Sequence, residues 1–325
     1  MSVATLEPEL EPIIRLNKDL RNAAKLMGRN EARYLVDTYY QIQKFRIASE
    51  AQIRTLEENH EPNALLAWVH GNTTSTENGI RSALGTFAKE YRVGKWLQGI
   101  CGIGPVISAG ILAEFDVRNR TTAGHFWAFA GLDASKKWEK GKKRPWNARL
   151  KTLLAFKAGE SFVKTQNRDE AFYGKLFADR KVREWNRNLD GLLAPEAARM
   201  LREKDFKRDT GAKKWYSGCV DPEWARLAYE AGDGWPVALP AAAIKEADTF
   251  PAMLPPAHVH ARARRWTVKL FVSHIHEVMY RDYYEKDPPM PFVMTKHPDA
   301  ALHTHYVPAQ GWPVSEGLGL KRLLG

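Results

Sequence analysis

The sequence predicts a mainly α-helical protein, because apolar residues recur near the helical period over long segments and capping residues bound those segments. The clearest segment runs from Asn30 to Glu58, and its apolar stripe consists of Leu35, Tyr39, Ile42, Phe45, Ile53 and Leu56. Pro195, Pro222 and Pro256 each stand where a further periodic segment begins. We expect a long N-terminal helical hairpin or coiled coil, a central helical hairpin, and a helical C-terminal region with irregular loops.

Composition indicates a folded chain with a polyanionic partner. With 325 residues the chain can bury a sizeable core, and we predict three regions, 1–95, 96–165 and 166–325. A hydrophobic fraction of 44% and an aromatic fraction of 11% exclude a disordered protein. Lys and Arg number 49 against 38 Asp and Glu, and the net charge of +11 favours binding to a polyanion. A basic enzyme is the alternative that composition leaves open.

Cysteine usage and the N-terminus predict a cytoplasmic protein. The two cysteines, Cys101 and Cys219, give neither a disulfide framework nor metal-ligand spacing, and they suit a reducing compartment. The first residues, MSVATLEPELEP, are acidic and lack the apolar centre of a signal peptide. No apolar run approaches the roughly 18–20 residues that span a bilayer, so we expect no membrane segment.

The first 95 residues are predicted to be helical throughout. We expect a first helix over Pro12–Met27 and a second over Asn30–Glu58, with Asn30 as its cap. A third helix is expected over Ala64–His70 and ends at a turn at 71–74, and a fourth follows over Glu77–Tyr91. These helices are expected to pack as a stalk or hairpin and can support a homo-oligomer. Their many carboxylates are interpreted as solvated helix faces, so no metal site is predicted.

A tight turn, Gly102-Ile103-Gly104-Pro105, separates two short apolar segments and predicts a helix-hairpin-helix. The expected small core is formed by Leu97, Ile100, Ile103, Ile107, Ile111 and Leu112. Gly102 and Gly104 permit a close backbone approach, and Pro105 suits the start of the second helix. A phosphate can dock at such a helix start, and small Ser108 allows close helix contact. The turn is therefore a candidate nucleic-acid contact.

A basic run follows at Ser135–Lys151, after a helix predicted over Ala123–Phe129 with Thr122 as cap and Gly131 as end. Its candidate nucleic-acid contacts are Lys136, Lys137, Trp138, Lys140, Lys142, Lys143, Arg144, Trp146 and Arg149. The cations can neutralise phosphates and the indoles can stack on bases. The alternative is a plain solvated loop, which charge runs often form.

The remainder is predicted to be helical with two irregular stretches. We expect helices over Asn147–Thr165, Asp169–Leu189, Pro195–Lys204, Pro222 to before Gly232, and Ala257–Tyr284, with a loop at 205–221 and an irregular linker at 232–256. On the last helix Arg262, Arg265 and Lys269 fall on one stripe that can follow a phosphate backbone or simply face solvent. His258, His260, His274 and His276 form pairs two residues apart, which a regular helix cannot use for chelation, so we predict neither metal nor cofactor.

The stretch 95–165 resembles the C-terminal domain of the insertion-sequence transposases that carry an N-terminal RuvC-like DEDD domain. The residues that carry the resemblance are Ile100-Cys101-Gly102-Ile103-Gly104-Pro105-Val106-Ile107-Ser108, Leu112-Ala113-Glu114, Ala128-Phe129-Ala130-Gly131-Leu132, Gly141-Lys142 and Leu150-Lys151-Thr152-Leu153-Leu154. The resemblance implies a DNA partner, and a structured RNA because the family uses a guide RNA.

Two departures from this family bear on chemistry. The family's DEDD domain is not found in this chain, and the place of the family's nucleophilic serine is held by Trp138 and Glu139, neither of which can form a phosphoserine bond. Ser135 lies close by as a weak catalytic candidate. We therefore expect a transposase-derived DNA-binding protein without its own strand cleavage. The alternatives are an active transposase or recombinase that uses Ser135 or a partner nuclease, and an RNA-binding or assembly factor.

Overall fold

A computed structural model describes residues 18–204, 206, 208–231, 239–290, 295 and 307–325. The fold is mainly α, as predicted. Over these residues it contains no strand, and its β contacts are two isolated bridges, Tyr91 with Leu318 and Val220 with Ile244. The chain divides into two compact units: unit 1 holds the described residues up to Leu154 and those from Val272 onward, and unit 2 holds Ala155–Phe271. This division does not coincide with the predicted boundaries at 95 and 165, and the three-region organisation stays a prediction.

Helices account for most of both units. In unit 1 they are α1 Lys18–Lys25, α2 Arg29–Glu58, α3 Ala64–Lys89, α4 Arg92–Gln98, α5 Pro105–Glu114, α6 Ala123–Phe129, α7 Ala148–Lys151 and α14 Leu320–Leu324. In unit 2 they are α8 Gly159–Thr165, α9 Phe172–Leu189, α10 Ala194–Glu203, α11 Gly211–Tyr216, α12 Pro222–Glu230 and a 3₁₀ turn, Ala241–Ala243. A π-helix, Thr152–Ala158, and the long helix α13, Pro256–Tyr284, each contain residues of both units.

The N-terminal helices differ from the prediction in two places. α2 begins at Arg29 with Gly28 as its cap, so Asn30 is not the cap, and its Oδ1 instead accepts from Arg33. α1 ends at Lys25, two residues before the predicted end, and the part of the predicted first helix before residue 18 lies outside the described residues. The cap prediction was wrong because a glycine with extended backbone can serve the same position.

The third and fourth predicted helices form one helix, α3. The predicted stop at 71–74 was wrong because its polar side chains satisfy the helix instead of breaking it. The Asn72 amide and the hydroxyls of Thr73, Thr74 and Thr76 each donate to the carbonyl four residues earlier. Buried Glu77 then accepts from Arg46 and Gln43 of α2, which joins α2 and α3. Phe45 and Leu65 on this pair stay more than half exposed, and homo-oligomerisation through it stays a prediction.

The core of unit 1 surrounds α5, whose residues are buried almost all round. Ala109, Ile111, Leu112 and Ala113 have no exposed surface, and α5 packs against α2, α3 and α4. Asp282 of α13 links α4 to the C-terminal helix α14, because its carboxylate accepts from Arg92 at 2.8 Å and from the Leu320 amide at 2.6 Å. α5 therefore fixes the positions of the glycine turn before it and of the segment that follows it.

Unit 2 has its own core, built around Trp185, Trp215 and Tyr216. The predicted loop at 205–221 was partly wrong, because α11 occupies Gly211–Tyr216 with the Thr210 hydroxyl accepting from the Lys213 amide. The predicted irregular stretch 232–256 is outside the described residues at 232–238, and beyond them it buries Met253 and Leu254. Polar composition concealed α11, since its two buried aromatic residues follow a pair of lysines.

Buried histidines should make stability depend on pH. Burial lowers the pKa of His276 to about 4, and its Nε2 has no hydrogen-bond partner among the described residues. Because the unfolded side chain titrates near 6.5, the unfolded state binds more protons between pH 6.5 and 4, and stability falls as pH drops through that window. We expect His276→Gln to reduce this loss by up to about 3 kcal/mol, measured by urea unfolding at a series of pH values. His60→Gln, at an exposed position, is the control and should leave the slope unchanged.

Candidate nucleic-acid interface

The glycine turn joins α4 to α5 at a corner that reaches solvent. Gly102 has φ +94°, a conformation that favours glycine, and Gly104 is the cap of α5 with extended backbone. A Cβ at Gly104 would meet nothing within 4 Å. Gly99 is exposed, and both Gly102 and Gly104 are half-buried. The corner is therefore open to a ligand at this point of the fold.

The core predicted around the turn is formed only in part by the predicted residues. Leu97, Ile103, Ile111 and Leu112 are buried, whereas Ile100 and Ile107 are half-buried. Val106 is buried as well. Ser108 has no exposed surface, and its hydroxyl donates to the Gly104 carbonyl at 2.9 Å. The start of α5 also touches α3, since a Cβ on Gly85 would lie 3.2 Å from the Pro105 ring.

Helix α6 leads into the basic loop, and its bounds are as predicted. The Thr122 hydroxyl accepts from the His125 amide, and Gly131 has φ +66° just after the last turn. The loop closes on itself at its base, where the Asn147 amide donates to the Phe129 carbonyl at 2.9 Å. The Asn147 side chain accepts from the Leu150 amide and donates to Glu114 at 2.7 Å. The loop base is thus tied to the last residue of α5.

Residues 134–145 of the basic loop are all exposed. Four of the predicted contacts, Lys136, Lys137, Lys140 and Lys143, have no hydrogen bond or ion pair to any described residue. Lys142 pairs with Glu139 at 2.7 Å, and Arg149 pairs with Asp37 of α2 at 2.9 Å. The loop therefore presents a set of cations whose charge the described protein does not neutralise.

The two tryptophans of the loop have different surroundings. Trp138 is 42% exposed; its indole N–H donates to the Lys142 carbonyl at 2.6 Å, and the Arg144 guanidinium lies 5.2 Å from its ring. Trp146 is half-buried, with the Lys151 ammonium 4.4 Å from its ring. Trp138 is thus the indole better placed to stack on an external base.

Gly131 is a position where a side chain is expected to weaken the loop base. A Cβ there would approach the Trp146 ring to 2.8 Å, and the residue has φ +66°. We expect Gly131→Ala to reduce the free energy of unfolding by about 2–3 kcal/mol. Gly141→Ala separates the two causes, because Gly141 has φ +89° but open space around its Cβ position. An equal loss in both variants would mean that packing against Trp146 contributes nothing.

The glycine turn and the base of the basic loop lie at opposite ends of α5. The turn precedes the first residue of α5, whereas the loop base is held by Glu114, its last. α5 has ten residues, so the two elements are separated by roughly 15 Å along the helix. This spacing corresponds to about four base pairs of B-form DNA. A single phosphate cannot contact both elements.

One residue of the predicted cationic stripe on α13, Arg262, is paired with carboxylates of unit 2. The Arg262 side chain bonds to Glu184 at 2.9 Å and also pairs with Glu196 of α10. Its charge is therefore balanced within the protein, and phosphate binding by Arg262 stays a prediction. Arg265 is exposed and Lys269 is half-buried. Charge spacing along a helix does not reveal which neighbouring helix supplies a carboxylate.

The remaining chemical candidates are Ser135 and the histidines of α13. Ser135 is exposed, and its hydroxyl donates to Asp133 at 2.7 Å. His258 contacts the Tyr216 hydroxyl at 3.0 Å, and His274 contacts the Val307 carbonyl at 2.7 Å. Among the described residues no cluster of three or more histidine, cysteine or carboxylate side chains could hold a metal ion.

An arginine and carboxylate cluster at the end of α5 was not singled out from the sequence. Arg29 and Arg33 of α2 donate to the backbone carbonyls of Phe115 and Ala113, where the helix end carries partial negative charge. Burial raises the pKa of Glu114, which pairs with Arg33. The run Glu114-x-Asp116-x-Arg118-x-Arg120 directly after an apolar helix was the signal available in the sequence.

Together these features define a helical protein with an exposed, cationic loop held on a buried central helix. Residues 94–174 match the Transposase IS116/IS110/IS902 family. This segment contains the glycine turn and the whole basic loop, and the expected resemblance to insertion-sequence transposases is confirmed. Searches of curated proteins and of solved structures gave no match to the chain. Within the described residues no helix is both long and apolar enough to cross a membrane.

Proposed function

We propose that the chain is a DNA-binding protein derived from a transposase, which contacts phosphates through the basic loop and the glycine turn. The observation that carries the proposal is the set of four exposed lysines, without partners among the described residues, inside the segment that matches the transposase family. Counterion release from DNA favours such contacts and makes binding steeply dependent on salt. Sequence preference is not expected from lysine contacts to the backbone.

The geometry supports two separate contact points on the duplex. The open corner at Gly102 and Gly104 stands at one end of α5, and the loop base stands at the other. A phosphate at the α5 start would meet backbone amides and the positive end of the helix dipole. Trp138 at the loop tip would add stacking where a base is unpaired. We infer that the duplex spans the distance from the glycine turn at one end of α5 to the loop base at the other.

We propose that the chain does not cut DNA by itself. Ser135 is hydrogen-bonded to a carboxylate rather than to a histidine or lysine, and an ordinary carboxylate is a weak base for activating a hydroxyl. The alternative, an active recombinase with Ser135 as nucleophile or with a partner nuclease, predicts a covalent protein–DNA adduct on denaturing gels that disappears in Ser135→Ala. An adduct in the wild-type protein alone would overturn the absence of cleavage.

The experiment that tests the binding proposal is a salt series with three ligands. Duplex DNA, single-stranded DNA and a structured RNA of equal length are titrated with the protein at several salt concentrations. We expect the duplex to bind with a slope of log K against log salt that corresponds to several phosphates, at about 0.9 per phosphate. Tighter binding of the RNA at every salt concentration would favour the RNA-binding alternative, and no salt-dependent binding would refute the proposal.

A further inference from the structure

An open pocket of about 620 Å³ lies at the C-terminal end of α5 in unit 1. Its wall combines the start of α2, the segment after α5 and the base of the basic loop. The residues that matter for its charge are Arg29, Arg33, Glu114, Asp116, Arg120 and Arg149. The loop base thus forms part of the pocket wall.

The carboxylates of this pocket are each neutralised within the protein. Asp116 accepts from Arg29 and from both Nε and Nη2 of Arg118, and the Arg118 hydrogen bond lowers the pKa of Asp116. Glu114 lies 3.4 Å from Arg33 and accepts from the Asn147 amide. These carboxylates leave no unbalanced negative charge to repel an anion.

Arg120 is the cation that this network leaves over. Its guanidinium carbon lies over the Phe129 ring, 3.6 Å from the centroid, and the residue is half-buried. It has no hydrogen bond or ion pair to any residue that the structure describes. Burial lowers its pKa, and the nearby charges of Asp116 and Glu114 offset that shift only in part. The ring contact restrains a five-donor fork, a donor set that suits phosphate.

We propose that this pocket is a phosphate-binding site in which Arg120 supplies the principal donors and Arg149 flanks it. Arg149 is 66% exposed at its side chain, so it retains donors beyond its contact with Asp37. The phosphate group is either one of the nucleic acid on the basic loop, in which case the site rests on the proposed function, or that of a free nucleotide. Either source presents the same oxygens to the guanidinium fork.

The first test uses no nucleic acid. Thermal unfolding is followed in inorganic phosphate and in deoxyadenosine monophosphate, against chloride at equal ionic strength, for the wild type, Arg120→Gln, Arg120→Lys and the exposed control Arg54→Gln. We expect both anions to raise Tm in the wild type and in Arg54→Gln, less in Arg120→Lys, and not at all in Arg120→Gln. Greater protection by the mononucleotide would identify a free nucleotide as the source. An equal rise in Arg120→Gln would overturn the site.

The second test measures duplex DNA binding by the same variants. If the nucleic acid supplies the phosphate, Arg120→Gln loses about tenfold in affinity near 0.1 M salt and about 0.9 in salt slope, because one phosphate contact is removed. If Arg120→Gln binds DNA as tightly as the wild type, and phosphate raises its Tm by the same amount, the pocket is refuted and the proposed function remains. If phosphate raises Tm through Arg120 but the protein binds no DNA, the proposed function is refuted and the pocket remains.

Discussion

Replacing Lys136, Lys137, Lys140 and Lys143 together with alanine is expected to lower the affinity for duplex DNA by roughly three to four orders of magnitude near 0.1 M salt. Each of these ammonium groups is exposed and lacks a partner among the described residues. If each neutralises one phosphate, the salt slope should fall by about 3.6, at roughly 0.9 per contact. Titrations of a fluorescent duplex at several salt concentrations measure both quantities.

The matched control removes the same charge from another surface of unit 1. Lys44, Arg54, Arg81 and Lys89 are exposed on α2 and α3, outside the segment that matches the transposase family. Alanine at these four positions lowers the net charge equally and should reduce affinity far less, because long-range attraction is screened within about 10 Å at this salt. Equal losses in the two variants would mean that net charge alone drives binding, and the loop would not be the interface.

The parts of the fold that local chemistry determines could be read from the sequence. Helix α6 is an example, since Thr122 bonds an amide of the first turn and Gly131 adopts a positive φ just beyond the end. The exposure of the basic loop follows equally from its composition, because a dense run of lysines cannot be buried without partners. Such features involve residues that are neighbours in the chain.

Features that depend on distant residues could not be predicted in the same way. Just beyond 71–74, for example, α3 is held by Glu77, which accepts from Arg46 on α2, 31 residues away in the chain. Arg262 was placed on a free cationic stripe, yet Glu184 and Glu196 come from other helices. A pattern along one segment contains no information about the charge that faces it.

The candidate site shows the same limit. The sequence identified the turn and the loop. The separation of the turn from the loop base by the length of α5 follows from the hydrogen bond of Asn147 to Glu114, which the sequence does not reveal. The pocket was hidden for the same reason, because Arg29 donates to Phe115, 86 residues away in the chain. Residue types along the sequence therefore indicated the kind of ligand, and the fold determined where that ligand can be held.

Removing the charge of Glu184 is expected to destabilise unit 2 by about 3–5 kcal/mol. Glu184 is 1% exposed, and its carboxylate lies 2.5 Å from Arg180, 3.2 Å from Arg187 and 2.9 Å from Arg262. Burial by itself raises the pKa of Glu184. The hydrogen bond from Arg262 and the neighbouring arginine charges lower the pKa by more than this, so the net shift is downward. Glu184→Gln keeps the shape and leaves these guanidinium groups without their shared counter-charge. Chemical denaturation measures the loss.

The pH dependence and a second glutamate make this last prediction specific. Because the folded pKa of Glu184 is lowered, its stabilisation is present above the unfolded value of 4.5 and is lost as pH falls through the folded pKa, so wild type and Glu184→Gln should converge in acid. Glu203→Gln, which removes a half-exposed ion pair with Arg199, should change stability by less than about 1 kcal/mol at any pH. If Glu184→Gln and Glu203→Gln lost the same free energy of unfolding at neutral pH, the prediction would be wrong. Apolar packing alone would then hold α9 against α13.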